Sequence, residues 1–171
     1  MHRYQQTLCE LLDRLHQRFG DRLHAVEVGV RTAETSRLIL ENCPYVERLT
    51  LVDVWELVEW RDDPLALKAE AFANVAPFAE RIRWLHCRSV AAAKLIAGEG
   101  PAGEHLVFID AHHGYRSVKA DILGWGPLVV QGGVLCGHDY LRAPRRVRQA
   151  VDELFPGCEI QGGRVWVKWN E

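Results

Sequence analysis

The apolar positions of the chain change period repeatedly from its start to its end. Tyr4, Leu8, Leu11, Leu12, Leu15 and Phe19 recur at the spacing of one helix face, and Gly20 supplies a stop. His24 to Gly29 (HAVEVG) is a short apolar run with the length of a buried strand, and it ends in glycine. A helix is predicted from Ala33 to Glu41, closed by the Asn42-Cys43-Pro44 cluster. The alternation then repeats. Arg48 to Asp53 (RLTLVD) predicts a second strand, and Pro64 to Ala79 a helix presenting Leu67, Phe72, Val75 and Phe78. Ile82 to Cys87 (IRWLHC) follows as a third strand, then a small-residue helix from Val90 to Ala97 closed by Gly98. His105 to Asp110 (HLVFID) is the fourth strand. Val118, Ile122 and Trp125 mark another helix, and Gly133 to Asp139 (GVLCGHD) is the fifth strand.

Short apolar runs separated by helix-length segments predict a doubly wound, Rossmann-like α/β fold, a mostly parallel sheet with helices on both faces. The end of the chain breaks the rhythm. A helix near Pro144 to Phe155 precedes two short runs, Cys158 to Ile160 and Arg164 to Trp169, separated by Gly162-Gly163, which is a hairpin signal. The expected sheet therefore has seven strands, the last reached through an antiparallel hairpin. No internal repeat, low-complexity segment or linker divides residues 1–171, so one domain is expected, with residues 1–22 as a helix packed on its core.

Composition narrows the class of function. Apolar residues make up 48% and charged residues 26%, the balance of a water-soluble globular chain. The formal net charge of -2 lacks the basic field of a dedicated nucleic-acid binder. Nothing approaches the roughly 18 consecutive apolar residues of a membrane span, and the N-terminal residues carry no signal-like apolar run. The five cysteines (Cys9, Cys43, Cys87, Cys136, Cys158) form no CxxC pair. Reduced thiols and a cytoplasmic location are the expectation.

In doubly wound sheets ligands bind beyond the carboxyl ends of the strands, at the point where strand order reverses. The polar residues gather there: Glu27 and Gly29 after the first strand, Asp53 after the second, Ser89 after the third, Asp110 after the fourth, His138 and Asp139 after the fifth. Gly29 lets a backbone approach a ligand without a Cβ in the way. Asp53 is placed to accept hydrogen bonds from a ribose diol, and Trp55 to lie against an adenine. The opposing reading makes Asp53 a solvated carboxylate and Trp55 a core residue. Of the six tryptophans, Trp84, Trp125, Trp166 and Trp169 fit packing faces, while Trp55 and Trp60 fall where a ligand could meet them.

The segments EVGVRTAETS, LVDVWE, FIDAHHGYRSVKADI and GGVLCGHDY, in this order, resemble the class I methyltransferases, which use S-adenosylmethionine. Within them they resemble the small family with an FID-x-x-H-x-Y segment and a terminal GHDY, methyltransferase family 24-like. The match runs from Ala25 to Trp169, and it is similar, more remotely, to the catechol and macrolide-sugar O-methyltransferases. The resemblance implies a seven-stranded sheet with an antiparallel last strand. It implies that Glu27, Gly29 and the backbone through Val30, Arg31 and Ala33 hold the methionine end of the cofactor. Asp53 would take the ribose hydroxyls, with Val54 beside it among the cofactor contacts; Trp55 would flank the adenine, and Cys87, Arg88 and Ser89 would meet its edge. Asp110 would lie near the methionine portion or a metal. Ala33 stands where the family has a second glycine, and Arg31 sits inside the loop.

Remote relatives hold magnesium with a carboxylate after strand four and two adjacent ligands after strand five. Asp110, His138 and Asp139 fall on those positions; the oxygens suit magnesium, the histidine leans towards manganese, iron or zinc. Such an ion would chelate a substrate diol and favour its deprotonated oxygen. The alternative is base catalysis by His112 or His138, with His113 beside them, or simply local hydrogen bonding.

Arg142, Arg145, Arg146 and Arg148 crowd the start of the last helix, against its dipole. This suggests an anionic partner, with Arg142 and Arg145 beside Tyr115 and Tyr140 as substrate contacts; a charged face paired with Asp152 or Glu153 is the other reading. The expected function is methyl transfer to a hydroxyl of a small molecule or sugar. A non-catalytic module holding S-adenosylmethionine or S-adenosylhomocysteine is the alternative, as is an RNA methyltransferase, which the net charge disfavours. The 23 residues ahead of His24 leave little for a lid, so either a second copy of the chain completes the pocket, as a homodimer, or the substrate is large.

Overall fold

The computed structural model describes residues 2–55, 63–101 and 103–171. The chain runs α1 (Arg3–Phe19), β1 (Leu23–Val28), α2 (Glu34–Asn42), β2 (Val46–Val52), α3 (Pro64–Val75), β3 (Ile82–Leu85), α4 (Ser89–Ala97), β4 (Glu104–Ile109), α5 (Tyr115–Trp125), β5 (Val129–Gly137), α6 (Arg146–Leu154), β6 (Glu159–Gln161) and β7 (Val165–Trp169). The strands form one sheet in the order β3-β2-β1-β4-β5-β7-β6. The first five pair in parallel, β7 lies antiparallel to β5, and β6 antiparallel to β7. This is the expected mostly parallel sheet with an antiparallel C-terminal hairpin. Strand order reverses between β1 and β4, the position at which sheets of this kind form their ligand crevice.

The period-2 alternation of the strands feeds two cores, one on each face. Ala25, Leu49, Leu51, Leu106, Phe108 and Cys136 pack under α1, α2 and α3, and Val26, Val28, Val52, Val107, Ile109 and Leu135 pack under α4, α5 and α6. Leu8, Leu11, Leu12 and Leu15 of α1 are fully buried. At roughly 1.5–3 kcal/mol per side chain, that face rather than intrinsic propensity holds α1 to the sheet. Asp63 starts α3 by accepting a hydrogen bond from the Leu65 amide at 2.9 Å, with Pro64 at the first helical position. Arg81 closes α2 from outside: its guanidinium donates to the carbonyls of Leu40, Cys43 and Val46 at 3.1, 2.8 and 2.9 Å. Among the described residues no helix is long and apolar enough to cross a membrane.

Element bounds depart from the expected ones in three places. The predicted Pro64–Ala79 helix is α-helical only to Val75, and a 3-10 turn with Pro77 in its first positions carries the chain to Arg81. β5 begins at Val129, ahead of the expected Gly133, because Gly132 at φ +81° lets the strand pass an irregularity in its pairing with β4. Asp53, Asp110 and Asp139 stand just past their strands rather than inside them.

Candidate active site

The first wall of the crevice is the turn after β1. Gly29 adopts φ +91°, and a Cβ there would lie 2.6 Å from the Cα of Ala111. The loop after β4 packs against it too closely for any side chain, so this glycine is required by contact as well as by conformation. Arg31 and Ala33 are also left-handed, at φ 52° and 58°; Ala33 holds at the start of α2 the conformation that a glycine would adopt without a Cβ penalty. Asp53 fixes the loop from the neighbouring strand. Its Oδ2 accepts from the amides of Val30 (2.7 Å) and Arg31 (2.8 Å), and its Oδ1 from Val54 (2.6 Å). These bonds to the turn are not legible in the sequence, since both partners are backbone.

Glu27 lies on the crevice floor, 3% exposed, with the Ser36 hydroxyl donating to its carboxylate. Burial pushes the Glu27 carboxyl up to about 8 against the pull of Ser36, and the charges of Asp110 and Asp53 add to the rise.

The structure places Trp55 in the core, 1% exposed, its Nε1 donating to the Arg31 carbonyl at 2.7 Å. Its ring meets Phe72, Trp84 and His86, so the expected adenine-flanking face is covered and the tryptophan instead braces the glycine turn. Trp60 lies outside the described residues. Arg88 is exposed ahead of α4. Ser89 accepts a hydrogen bond from Trp125 Nε1 at 2.9 Å and is bonded to the buried Asp121, whose carboxyl burial lifts to about 6.

The opposite wall joins the ends of β4 and β5. His113 Nε2 lies 3.0 Å from Asp139 Oδ2 and 3.4 Å from Asp110 Oδ1. One donor atom each from Asp110, His113 and Asp139 falls within 4.8 Å of the others, a set able to hold a metal ion. Burial holds the Asp110 carboxyl above its ordinary range, with the Asp139 charge adding, while His113 and His138 pull it down. His138 supports the pair from behind: its Nδ1 is 3.7 Å from Asp110 Oδ1 and 3.4 Å from Asp139 Oδ1. Its Nε2 is buried with no partner among the described residues, under the ring of Tyr4 at 4.4 Å between centroids. Tyr4 hydrogen-bonds Thr35 at 3.1 Å and brings α1 to the site, a role its place on an apolar helix face gave no sign of.

His112 and His113 part company. His112 Nδ1 accepts the Gly114 amide at 3.0 Å, at the start of α5, so His112 serves the turn while His113 faces the carboxylates. Tyr115 and Tyr140 are drawn away from the cluster to the acids of α6: the Tyr115 hydroxyl donates to Glu153, that of Tyr140 to Asp152. Arg142 reaches the site, its Nη1 2.9 Å from Asp139 Oδ2. Arg148 pairs with Asp152 at 3.1 Å, whereas Arg145 and Arg146 are exposed and make no ion pair among the described residues.

The strand order and the polar residues gathered at its switch point are those of a Rossmann-like α/β fold, an architecture that hosts many activities. Residues 26–140 match the family model described as a methyltransferase domain, and the chain belongs to that family; its methyl donor is S-adenosylmethionine. No curated protein matches the sequence significantly. Among solved structures it is similar to the O-methyltransferase NovP, at TM-score 0.70 and 13% identity over 99% of this chain and 79% of that one. It is similar to an O-methyltransferase from Bacillus cereus in complex with S-adenosylhomocysteine, at TM-score 0.65 and 17% identity over 95% and 81%. A third is CalS11, a TDP-rhamnose 3'-O-methyltransferase, at TM-score 0.62 and 16% identity over 99% and 82%. At these identities the likeness is one of fold.

Proposed function

We propose that this chain methylates a hydroxyl group of a small, anionic molecule or sugar, assisted by a divalent cation, magnesium or manganese. The observation that carries the reading is the convergence of Asp110, His113 and Asp139 within 4.8 Å, across the switch point from Glu27, Gly29 and Asp53. In the relatives named as O-methyltransferases, NovP and the TDP-rhamnose enzyme CalS11, the acceptor class is a hydroxyl and, for CalS11, a sugar.

The cofactor end follows from the first wall. Glu27, Gly29, Val30 and Arg31 line the methionine side, and Asp53 with Val54 the ribose side. The Asp53 carboxylate has spare lone pairs beyond the three amides it accepts, which suits ribose hydroxyls. Cys87, Arg88 and Ser89 lie on the adenine side.

Methyl transfer needs the acceptor oxygen aligned with the sulfonium methyl and relieved of its proton. S-adenosylmethionine supplies the methyl group as a sulfonium. Two carboxylate oxygens and one imidazole nitrogen are a fitting donor set for magnesium or manganese. A cation held by Asp110, His113 and Asp139 would lower the pKa of a bound hydroxyl and so favour its deprotonated oxygen. His138 is a positioning residue in this account: Nδ1 faces both carboxylates, and Nε2 is enclosed under Tyr4 away from any substrate. Exposed Arg145 and Arg146, against the dipole of α6 and without carboxylate partners among the described residues, fit an anionic group on the acceptor.

The five cysteines are unbridged, which fits a cytoplasmic protein acting as one domain. A second copy of the chain or a large acceptor would complete the open side of the site.

The reading is tested with a panel of sugar and diol acceptors, free and phosphorylated, by mass spectrometry of S-adenosylhomocysteine and methylated product with manganese present. Turnover is expected with one acceptor class and should fall by about 100-fold or more in His113→Ala. The Arg145→Ala/Arg146→Ala pair should raise KM for phosphorylated acceptors and leave cofactor affinity alone. Cofactor binding without turnover of any acceptor would support the non-catalytic module instead.

A further inference from the structure

Asp139 is a nearly buried carboxylate, its side chain 7% exposed, on a left-handed residue at φ +60°. A buried charge of this kind needs a cationic partner, and Arg142 supplies it. The Arg142 amide donates to the Asp139 carbonyl at 3.0 Å, which turns the chain back on itself. The guanidinium then folds over the carboxylate, Nη1 at 2.9 Å from Asp139 Oδ2 and 3.4 Å from His113 Nδ1. It therefore engages two of the three residues that converge on the candidate metal position. The Arg142 side chain is 47% exposed, and residues 141–146 around it are all exposed. Its release to solvent uncovers no apolar core.

A divalent cation binds carboxylate oxygens at about 2.0–2.6 Å. An oxygen that already receives a guanidinium at 2.9 Å would then bring two positive centres within a few ångströms of each other. Resting on the metal-assisted reading above, we propose that Arg142 is a latch on this site. Its guanidinium and a divalent cation are alternative partners of the Asp139 carboxylate. With the latch closed the carboxylate is already neutralised, and a cation enters as Arg142 swings out to solvent.

The test is manganese(II) titrated into the whole 171-residue chain, with the free ion read by electron paramagnetic resonance. Wild type, Arg142→Gln and Arg145→Gln are compared, and each sample is also titrated calorimetrically with S-adenosylmethionine. Arg142→Gln is expected to bind manganese at least about tenfold more tightly than wild type, about 1.4 kcal/mol. Arg145→Gln removes the same charge from the same exposed stretch without touching Asp139, and should change the affinity by less than about threefold, as a screened surface charge does. Unchanged or weaker affinity in Arg142→Gln overturns the latch, and so does equal tightening in both variants. Absence of manganese binding in all three overturns it together with the metal-assisted reading. The cofactor titration then decides separately whether the methyltransferase site stands.

Discussion

Glu27 shows how one buried carboxyl ties the site to stability. Its carboxyl titrates near 8 in the folded chain against an ordinary value of 4.5, because burial disfavours the charge. The folded state therefore holds a proton that the unfolded chain gives up between those values. The stability this proton contributes is complete below about 4.5 and is lost as pH rises through about 8, at up to about 1.4 kcal/mol per pH unit. Thermal unfolding at pH 5, 6.5 and 8 should show a shallower decline in Glu27→Gln than in wild type; parallel declines would remove Glu27 as the cause. Asp110 and Asp121, raised in the same direction, stay in both proteins and cancel in the comparison. At this scale the sequence was legible in position, since Asp53, Asp110 and Asp139 follow the ends of β2, β4 and β5 as the apolar runs implied. It was ambiguous where neighbours compete. His112 and His113 lie beyond the strand, where no periodicity says which turns inward, and the backbone bond from Gly114 to His112 decides it. Trp55 was read as an adenine neighbour, and the hydrogen bond to Arg31 with the contacts to Phe72 and Trp84 carries it into the core instead.

Among the elements, α2 matters because the glycine turn feeds into it, and its far end is secured by one side chain. Arg81 gives three hydrogen bonds to carbonyls at and beyond the end of α2. Arg81→Ala should destabilise the fold by about 2 kcal/mol, a fall in Tm of roughly 4–8 °C for a chain of this size. Because these carbonyls lie at the opposite end of α2 from the crevice, cofactor affinity should hardly change; a matching loss of affinity would place Arg81 in the site's support. The elements themselves were legible from periodicity, which survives because each helix and strand buries one face. Their ends were less so. The close of the helix over Pro64–Val75 and the early start of β5 depend on Pro77 and Gly132, whose local conformations no hydrophobic pattern reports.

For the whole molecule, alternating strand-length and helix-length runs pointed to a covered parallel sheet, and the hairpin signal to the antiparallel pair that ends it. The strand order came only with the structure, because periodicity carries no information about which strand lies beside which. It is that order, β3-β2-β1-β4-β5-β7-β6, that opens the crevice between β1 and β4 and brings residues from separate segments to one rim. The account stands on that rim holding a nucleoside, with Asp53 at its centre. The most direct measurement is a calorimetric titration of the folded protein with S-adenosylmethionine and S-adenosylhomocysteine, with and without manganese. The account predicts saturable one-to-one binding, weakened by at least about 30-fold in Asp53→Ala through loss of charge-assisted hydrogen bonds. Failure of either compound to bind at millimolar concentration, with the protein folded, would contradict it.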